Sequence, residues 1–371
     1  MCEGVHATAL PARLTVPRRI VGGIAAVLVA ASAGCVPWRE TSPAPPPLVV
    51  PEHDGTAAAA AAAPGAAATA AEPRAATSVS DGRSAVERSF SLRCAAPAVV
   101  RCVSFDTPEQ VADLSWWAVG EQTGRGPMGA LRNDAAALIP ERDCTVAVAG
   151  CSLRFTIRSR SGAGDSGSWF VNFSDDLSVR FGEGQEFYVQ WRQRFSKTFL
   201  DTRFRGNGWK QAIIGQGDRP GYLPDGKVIW SCTEMELVVE NTLMRGYPQM
   251  YHSCGGKDGQ YEPLWNDRAP PYRADEWMTF QVKVKIGTWY HNDRKYHRDS
   301  TVELWVAREG GRSQRVVVAD GYDLANADPG ASYGKLWLLP YHSAKDAGQE
   351  HPPGYVWYDE VVISRAPIPD P

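Results

Sequence analysis

In the stretch WMTFQVKVKI, residues 277–286, apolar and polar side chains alternate from Met278 onward. Because successive side chains of a β-strand point to opposite faces, this pattern predicts a strand with one face on a core. Similar runs, separated by Gly, Pro, Asp and Asn, recur at 153–157, 187–195, 235–239, 302–306, 336–338 and 357–363. Many short strands, with no convincing amphipathic helix after residue 140 and at most one helical turn within 108–117, predict an all-β fold. We expect an antiparallel β-sandwich of the jelly-roll type.

The composition of the chain changes at position 89. All but one of the Phe, Tyr and Trp residues follow it, and the exception is Trp38. Segment 36–89 is rich in Ala and Pro and cannot bury enough apolar surface to offset its ordering entropy. We therefore expect 36–89 to be a disordered linker and 90–371 to form one β-sandwich domain.

The first 35 residues have the pattern of an export signal. Three arginines within 13–19 precede an apolar run, 20–34, which is shorter than the about 20 residues that span a bilayer. The run ends in Ser-Ala-Gly-Cys35, which resembles the lipobox of bacterial lipoproteins, whose Cys becomes the lipidated N-terminus. We expect 1–35 to be a lipoprotein-type signal with lipidation at Cys35. The protein is then a periplasmic or cell-surface membrane lipoprotein; a simply cleaved signal and a secreted protein are the alternative.

Six further cysteines follow the linker, at Cys94, Cys102, Cys144, Cys151, Cys232 and Cys254. An even number in an exported domain predicts disulfides, and six cysteines allow about fifteen pairings. Short intervening segments favour Cys94–Cys102 and Cys144–Cys151, which leaves Cys232 with Cys254. None of them has zinc-site spacing, so we predict no metal ligation by these thiols.

The formal net charge of −3 argues against general nucleic-acid binding. Residues 192–210 nevertheless contain six Lys and Arg against a single Asp, a stretch that suits either a polyanion or a solvated loop. Guanidinium groups bind carboxylates and sulfates in a bidentate manner, which makes Arg192 and Arg194 candidate substrate ligands. Lys210 and Gln211 open the next strand, where we expect them to reach the same site.

Aromatic residues stand among charged ones on the polar faces of the predicted strands. This set includes Tyr188, Glu234, Glu236, Trp305, Lys335, Trp337 and Tyr341. Amphipathic rings flanked by charged groups suit a groove that stacks sugar rings and hydrogen-bonds hydroxyls. The alternative is an ordinary solvated outer face.

Several motifs carry a family resemblance. They are WKQAIIGQGD (209–218), TEMELVVEN (233–241), PQMYHSCGG (248–256), EWMTFQVKVKIGTW (276–289), YGKLWLLPYHSAK (333–345) and GYVWYDEVVISRAPI (354–368). In these stretches the chain resembles secreted bacterial polysaccharide lyases, and most of all the heparin lyase I group with its concanavalin A-like jelly roll. The resemblance implies a lyase that cleaves an acidic, uronate-containing polysaccharide by β-elimination. Related alginate lyases carry an Arg-x-Glu-Leu motif, and Glu234 stands here in place of the Arg.

A uronate lyase must neutralise the substrate carboxylate, remove the C5 proton and protonate the leaving oxygen. Tyr341 follows the strand that matches the tyrosine strand of the lyases, and it is the first candidate for proton transfer. His252 is a second candidate, as general base, and Lys210 is expected to join them. The structural alternatives are an aromatic residue packed at a sheet edge and a histidine with a purely structural role.

Two other functions stay open. Glu234, Glu236 and Glu240 resemble the acidic strand of laminarinase-like glycoside hydrolases, and Glu234 and Glu236 lie about 7 Å apart on a regular strand. The same fold also hosts lectin-like carbohydrate-binding modules without catalysis. We expect a monomer whose partners are an acidic polysaccharide and, through its lipid, a membrane. We expect no cofactor: a structural calcium ion is compatible with the fold, but the sequence lacks an Asp-rich loop with ligand spacing.

Overall fold

The computed structural model describes the backbone of most of the chain after residue 84. The described ranges are 85–114, 127–133, 136–205, 209–216, 235–241, 248–254, 262–264, 270–289, 297–322, 324, 332–342 and 344–371. They belong to one compact unit, Ala76–Pro371. The predicted signal, Cys35 and most of the predicted linker lie outside the described residues. Within the described ranges, no helix is long and apolar enough to cross a membrane.

Fifteen strands, two α-helices and one 3-10 helix occur in the described ranges. The strands are β1 (Val99–Val103), β2 (Met128–Leu131), β3 (Glu141–Asp143), β4 (Ser152–Ile157), β5 (Ser168–Asn172), β6 (Glu186–Phe195), β7 (Lys210–Gln216), β8 (Met235–Asn241), β9 (Pro248–Cys254), β10 (Glu262–Leu264), β11 (Trp277–Lys285), β12 (Ser300–Arg308), β13 (Gln314–Tyr322), β14 (Tyr333–Tyr341) and β15 (Gly354–Ser364). The helices are α1 (Ala85–Cys94), the 3-10 helix (Pro108–Val111) and α2 (Lys197–Asp201).

The strands form two sheets. Sheet A has the order β13-β12-β11-β6-β15-β4-β3, with β1 also paired to β15, and sheet B has the order β10-β9-β8-β7-β14-β5-β2. The pairings between these strands are antiparallel. The prediction of an antiparallel β-sandwich is therefore confirmed, and the two sheets together provide two outer faces.

The main core lies between the two sheets and follows the alternation of the sequence. On β11, Met278, Phe280, Val282 and Val284 are buried in this core. Phe280 faces Trp191 of β6 in the strand register, and their rings stack with centroids 5.5 Å apart. Ile214 of β7 and Leu336 and Leu338 of β14 close the core from sheet B. Burying this apolar surface is the main term that holds the sheets together.

Helix α1 spans the end of the predicted linker, 36–89, and the start of the predicted domain. We expected no helix in this part of the chain. Arg93, 4% exposed, donates hydrogen bonds to Gln190 Oε1 of β6 at 2.6 Å and to Glu360 of β15. Phe90 packs beside Tyr188 and Val362 on the outer face of sheet A. These contacts are long-range, so a local hydrophobic pattern could not reveal them.

Helix α2 was also not predicted, because a single turn is too short to show a periodic pattern. Its N-cap is Ser196, whose hydroxyl oxygen accepts a hydrogen bond from the Phe199 amide at 3.1 Å. The expected turn of helix within 108–117 is present as the 3-10 helix.

Two of the three expected disulfides are confirmed. Cys94–Cys102 links the end of α1 to β1, and Cys144–Cys151 closes the loop between β3 and β4. Cys232 and the side chain of Cys254 lie outside the described residues, so their pairing stays a prediction. The first disulfide attaches α1 covalently to sheet A.

Candidate active site

The outer face of sheet B carries an apolar cluster. Its members are Leu114, Leu131, Phe170, Ile213, Trp337 and Leu339, with Tyr341 packed against them. Its members on strands alternate with core residues such as Ile214 and Leu336, so they point away from the other sheet. This face therefore offers apolar surface outside the main core.

A cavity of about 340 Å³ opens on this face. Lys210 and Ile213 of β7 and Trp337, Leu339 and Tyr341 of β14 contribute to its floor. The residues Asn133, Gly162, Ala163, Gly164, Asp165 and Ser168 form the rest of its lining. The cavity thus combines an apolar floor with a few polar groups, which is the usual composition of a ligand site.

Lys210 and Tyr341 form the polar end of the floor. They are direct partners in the register of β7 and β14, and the Lys210 ammonium lies over the Tyr341 ring, 5.6 Å from its centroid. Residues directly opposite each other in an antiparallel pair share one face, which brings a cation and a phenol together. Tyr341 is only partly buried, so its ring stays open to the cavity.

Trp337 supplies an aromatic surface beside this pair. Its indole is almost fully buried, and among the described residues no acceptor pairs with its Nε1 hydrogen. Lys335 lies next to it with its ammonium 4.8 Å from the centre of the indole ring. Lys335 is 0% exposed and does not line the cavity, so it supports Trp337 electrostatically.

The segment 162–165 forms the wall of the cavity, and long-range hydrogen bonds hold it. Asn133 Nδ2 donates to the Gly164 carbonyl at 2.7 Å, and the His342 amide donates to the Ala163 carbonyl at 3.3 Å. A Cβ at Gly164 would lie 2.8 Å from Asn133 Nδ2, so glycine allows this close approach without displacing the Asn133 side chain. The wall is thereby fixed to the residue that follows Tyr341.

Lys345 attaches the same wall from its other end. Its ammonium donates to the Ser161 carbonyl and to Ser161 Oγ, the latter at 3.0 Å. Burial lowers the pKa of Lys345, against the opposing effect of Asp165 and Asp346. This wall was not predicted, and the local signal for it in the sequence is the glycine-rich stretch GAGDSG at 162–167.

The predicted candidates divide between two faces. Lys210, Trp337 and Tyr341 meet in the cavity, as expected. Arg192 and Arg194 belong to β6 and alternate with the core residues Trp191 and Phe195, so they lie on the outer face of sheet A. The prediction that they line the same groove as Tyr341 is wrong, because the two sheets turn their outer faces in opposite directions.

The two arginines have partners on sheet A. Arg192 is buried and forms ion pairs with Glu309 at 3.6 Å and Glu360 at 3.9 Å. Arg194 pairs with Asp275 at 3.5 Å. They hold neighbouring strands and loops together, which is a structural role.

The other cations of the basic stretch 192–210 are spread over the surface. Lys197 pairs with Asp201 within α2, and Arg205 pairs with Asp346 at 2.7 Å. Among the described cations of this stretch, Lys210 is the one that lines the cavity. A local surplus of charge in the sequence therefore does not become a single basic patch.

Gln211 faces the interior, which corrects its prediction as a substrate ligand. Its side chain accepts a hydrogen bond from Gln193 and donates to the Trp209 carbonyl at 3.0 Å, and Tyr358 Oη donates to its carbonyl at 2.8 Å. The register of β7 and β8 shifts between Lys210 and Ala212, so this irregularity places two successive side chains on the inner side.

Three candidates cannot be placed in the cavity. Glu234 lies outside the described residues, and only the backbones of Glu236 and His252 are described. Glu236 pairs with Gly215 of β7, whereas His252 pairs with Leu237, which in turn pairs with the core residue Ile214. Their roles stay predictions.

No protein-family model and no curated protein matches this sequence. Solved structures of similar fold include the marine PL-14 alginate lyase from Aplysia kurodai, with 12% identity, 71% of this chain and 98% of that chain covered, and a TM-score of 0.48. The alginate lyase vAL-1 from Chlorella virus shows 13% identity, coverages of 61% and 90% and a TM-score of 0.41. A carbohydrate esterase from Shiga toxin-encoding bacteriophage phi24B shows 10% identity, with 71% of this chain and 97% of that chain covered and a TM-score of 0.36. These likenesses concern the fold.

Proposed function

We propose that this chain is an exported polysaccharide lyase that cleaves an acidic, uronate-containing polysaccharide by β-elimination. Its site is the cavity on the outer face of sheet B. The family motifs at 276–289 and 333–345 support the heparin lyase I group as its type. The signal-like residues 1–35 support export and attachment to a membrane through Cys35.

One observation carries the proposal: Lys210, Trp337 and Tyr341 meet in one open cavity. Each supplies a chemistry that a uronate lyase needs. An ammonium neutralises a carboxylate, an indole stacks on a sugar ring and a phenol transfers a proton. Because β7 and β14 are neighbours in a well-packed sheet, these groups are positioned before substrate arrives.

In the proposed reaction, the Lys210 ammonium binds the uronate carboxylate and so acidifies the C5 hydrogen. Tyr341, reacting as its phenolate, takes that proton and becomes a neutral phenol. The C5 electron pair forms the C4–C5 double bond while the bond from C4 to the glycosidic oxygen breaks. Tyr341 then donates this proton to the leaving glycosidic oxygen, which restores its phenolate. Trp337 holds a sugar ring during these steps.

The hydrolase alternative needs two carboxylates about 5 to 10 Å apart across the scissile bond. Asp165 is the single carboxylate among the described residues that line the cavity. The side chains of Glu234 and Glu236, the carboxylates predicted for a hydrolase, lie outside the described residues. The products of the reaction therefore test this alternative. A lectin-like module would use the same apolar floor without any proton transfer.

The test is to incubate the purified chain without its predicted signal, residues 36–371, with a panel of uronate polysaccharides. Each cleavage by a lyase produces one unsaturated end, which absorbs in the ultraviolet, and one new reducing end. The two products should therefore appear at the same rate. Reducing ends without ultraviolet absorbance would instead establish a hydrolase. Binding with neither product would establish a carbohydrate-binding module and refute the proposal.

A further inference from the structure

A single carboxylate, Asp165, lies in the wall of the cavity, while the cation Lys210 lies in its floor. We infer that Asp165 is a specificity-determining residue that excludes a second negative charge from this site. This inference rests on the proposed function and names its substrate class: a polymer in which the uronate alternates with an uncharged sugar, rather than a contiguous polyuronate.

The Asp165 carboxylate is held in place. It accepts a hydrogen bond from the Gly162 amide, and the Asp165 carbonyl accepts one from the Leu138 amide at 2.8 Å. The neighbouring Gly164 is bound to Asn133, as described above. Rotating the carboxylate away from an approaching anion would lose the Gly162 hydrogen bond, and the two hydrogen bonds to backbone carbonyls fix the loop that carries the side chain.

The charge of Asp165 is not removed by an ion pair within the described residues. Lys345 is close enough to be affected by it, but the Lys345 ammonium donates its hydrogen bonds to Ser161. Among the described lining residues, Lys210 and Asp165 are the only charged groups, so the lining carries no net charge. It can compensate one substrate carboxylate at Lys210 and repels a second beside Asp165.

A contiguous polyuronate brings a carboxylate with every sugar, so one sugar on each side of the bound uronate is charged. An alternating polymer places an uncharged sugar there instead. The remaining lining suits such a sugar, since Ile213, Leu339 and Ala163 are apolar and Asn133 and Ser168 are neutral and polar. The selection is thus made by repulsion as well as by fit.

The test compares the chain with its Asp165→Asn variant on two unsulfated probes. One is a contiguous 1,4-linked polyuronate, and the other is an alternating copolymer of hexuronate and N-acetylhexosamine. Asparagine keeps an oxygen for the Gly162 amide and removes the charge. The matched control is Asp201→Asn, which removes the same charge from the exposed end of α2.

We expect the original chain to prefer the alternating polymer, and Asp165→Asn to raise kcat/KM on the polyuronate about tenfold relative to the alternating polymer. The control should leave that ratio unchanged. The inference is overturned if the original chain prefers the polyuronate. It is also overturned if the ratio of kcat/KM on the two polymers is the same for the original chain and for Asp165→Asn.

Failure of the proposed lyase activity would look different. If neither polymer yields an unsaturated product, calorimetric binding of oligosaccharides from both probes decides the matter. Selective binding of the alternating oligosaccharide that is lost in Asp165→Asn supports the role of Asp165 even without catalysis. Equal binding of both, or no binding, overturns it.

Discussion

At the scale of single residues, the proposed chemistry depends on two side chains that face each other across β7 and β14. Lys210 and Tyr341 are register partners, and the Lys210 ammonium lies 5.6 Å from the centre of the Tyr341 ring at the polar end of the cavity floor. Neither residue is unusual in the sequence. Their value comes from sharing a cavity that is apolar elsewhere on its floor.

The first prediction concerns Tyr341. Tyr341→Phe keeps the ring and its packing but removes the group that transfers the proton. General acid–base groups contribute about a hundredfold or more to rate, so we expect kcat to fall by at least that factor with KM little changed. Steady-state rates of unsaturated product formation measure it. Tyr355→Phe, a partly buried tyrosine on sheet A, is the control and should retain activity.

The second prediction concerns Lys210. Lys210→Met removes the ammonium that binds the carboxylate, so we expect kcat/KM on the polyuronate and on the alternating polymer to fall about a hundredfold. Lys210→Arg should retain part of the activity, since a guanidinium also pairs with carboxylates. Lys197→Met, an exposed lysine of α2, should leave the rates unchanged. An active Lys210→Met variant would exclude this residue from the mechanism.

The third prediction is a pH dependence of stability. Burial raises the pKa of Asp359 well above its usual value, although the amides of Val148 and Glu360 donate hydrogen bonds to it and lower it. A carboxyl with a raised folded-state pKa contributes stability that is complete below its unfolded pKa and is lost as pH rises through its folded-state pKa.

The Asp359→Asn variant has no carboxyl to ionise at this position, so it does not lose this stability as pH rises. Its free energy of unfolding, measured in denaturant, should therefore increase relative to that of the original chain from about pH 4 to about pH 8. Asp176→Asn is the control, because hydrogen bonds with Ser178 lower the pKa of this exposed carboxyl to about 2. Its difference from the original chain should be constant over the same range. A constant difference for Asp359→Asn would refute the prediction.

At the scale of elements, helix α1 is bound to sheet A by an ion pair that is buried on both sides. The side chains of Arg93 and Glu360 are 3% and 4% exposed. Without Arg93, the Glu360 carboxylate keeps only the longer pair with Arg192 at 3.9 Å. A buried charge left with weaker compensation is more destabilising than the loss of a surface ion pair. The helix is therefore part of the folded domain, and a chain that starts at residue 95 would lack it.

The fourth prediction follows from this contact. Arg93→Ala removes the donor shared by Glu360 and Gln190 and leaves Glu360 with the longer Arg192 pair, so we expect a loss of about 3 kcal/mol in the free energy of unfolding. Equilibrium unfolding in denaturant measures it. Arg88→Ala, on the exposed side of the same helix, should change the stability by less than about 1 kcal/mol. Similar small effects for both variants would contradict a structural role of α1.

At the scale of the whole molecule, the sandwich offers two outer faces that differ in character. The face of sheet A around β15 is covered by α1 and by the C-terminal residues near Ile368, so its polar groups are paired internally. The face of sheet B holds the cavity. Within the described ranges, the proposed substrate site therefore lies on the face of sheet B.

The fifth prediction concerns the attachment of this molecule to a membrane. If Cys35 is lipidated, Cys35→Ser expressed in a bacterial host should move the protein from the membrane fraction to the soluble fraction, with the rate of polysaccharide cleavage unchanged. Fractionation followed by immunoblotting measures it. Cys2→Ser is the matched control and should stay with the membrane. A soluble original chain would favour the simply cleaved signal.

Local sequence patterns were sufficient for the strands and for much of the core. The alternation at 277–286 coincides with β11, and its apolar positions fill the space between the sheets. Short loops likewise predicted Cys94–Cys102 and Cys144–Cys151. These features depend on neighbours in sequence, which is why the sequence contains enough information to find them.

The site itself needed the tertiary structure. Alternation tells which side chains of one strand share a face, but not which sheet the strand joins, and a sandwich has two outer faces. Arg192 and Trp337 both looked like groove residues, yet β6 belongs to sheet A and β14 to sheet B. The irregular register at Lys210 turned Gln211 inward, and Asp165 entered the cavity on a loop held by Asn133. The sequence by itself determined the strands and the residues that could act; long-range strand pairing decided which of them meet.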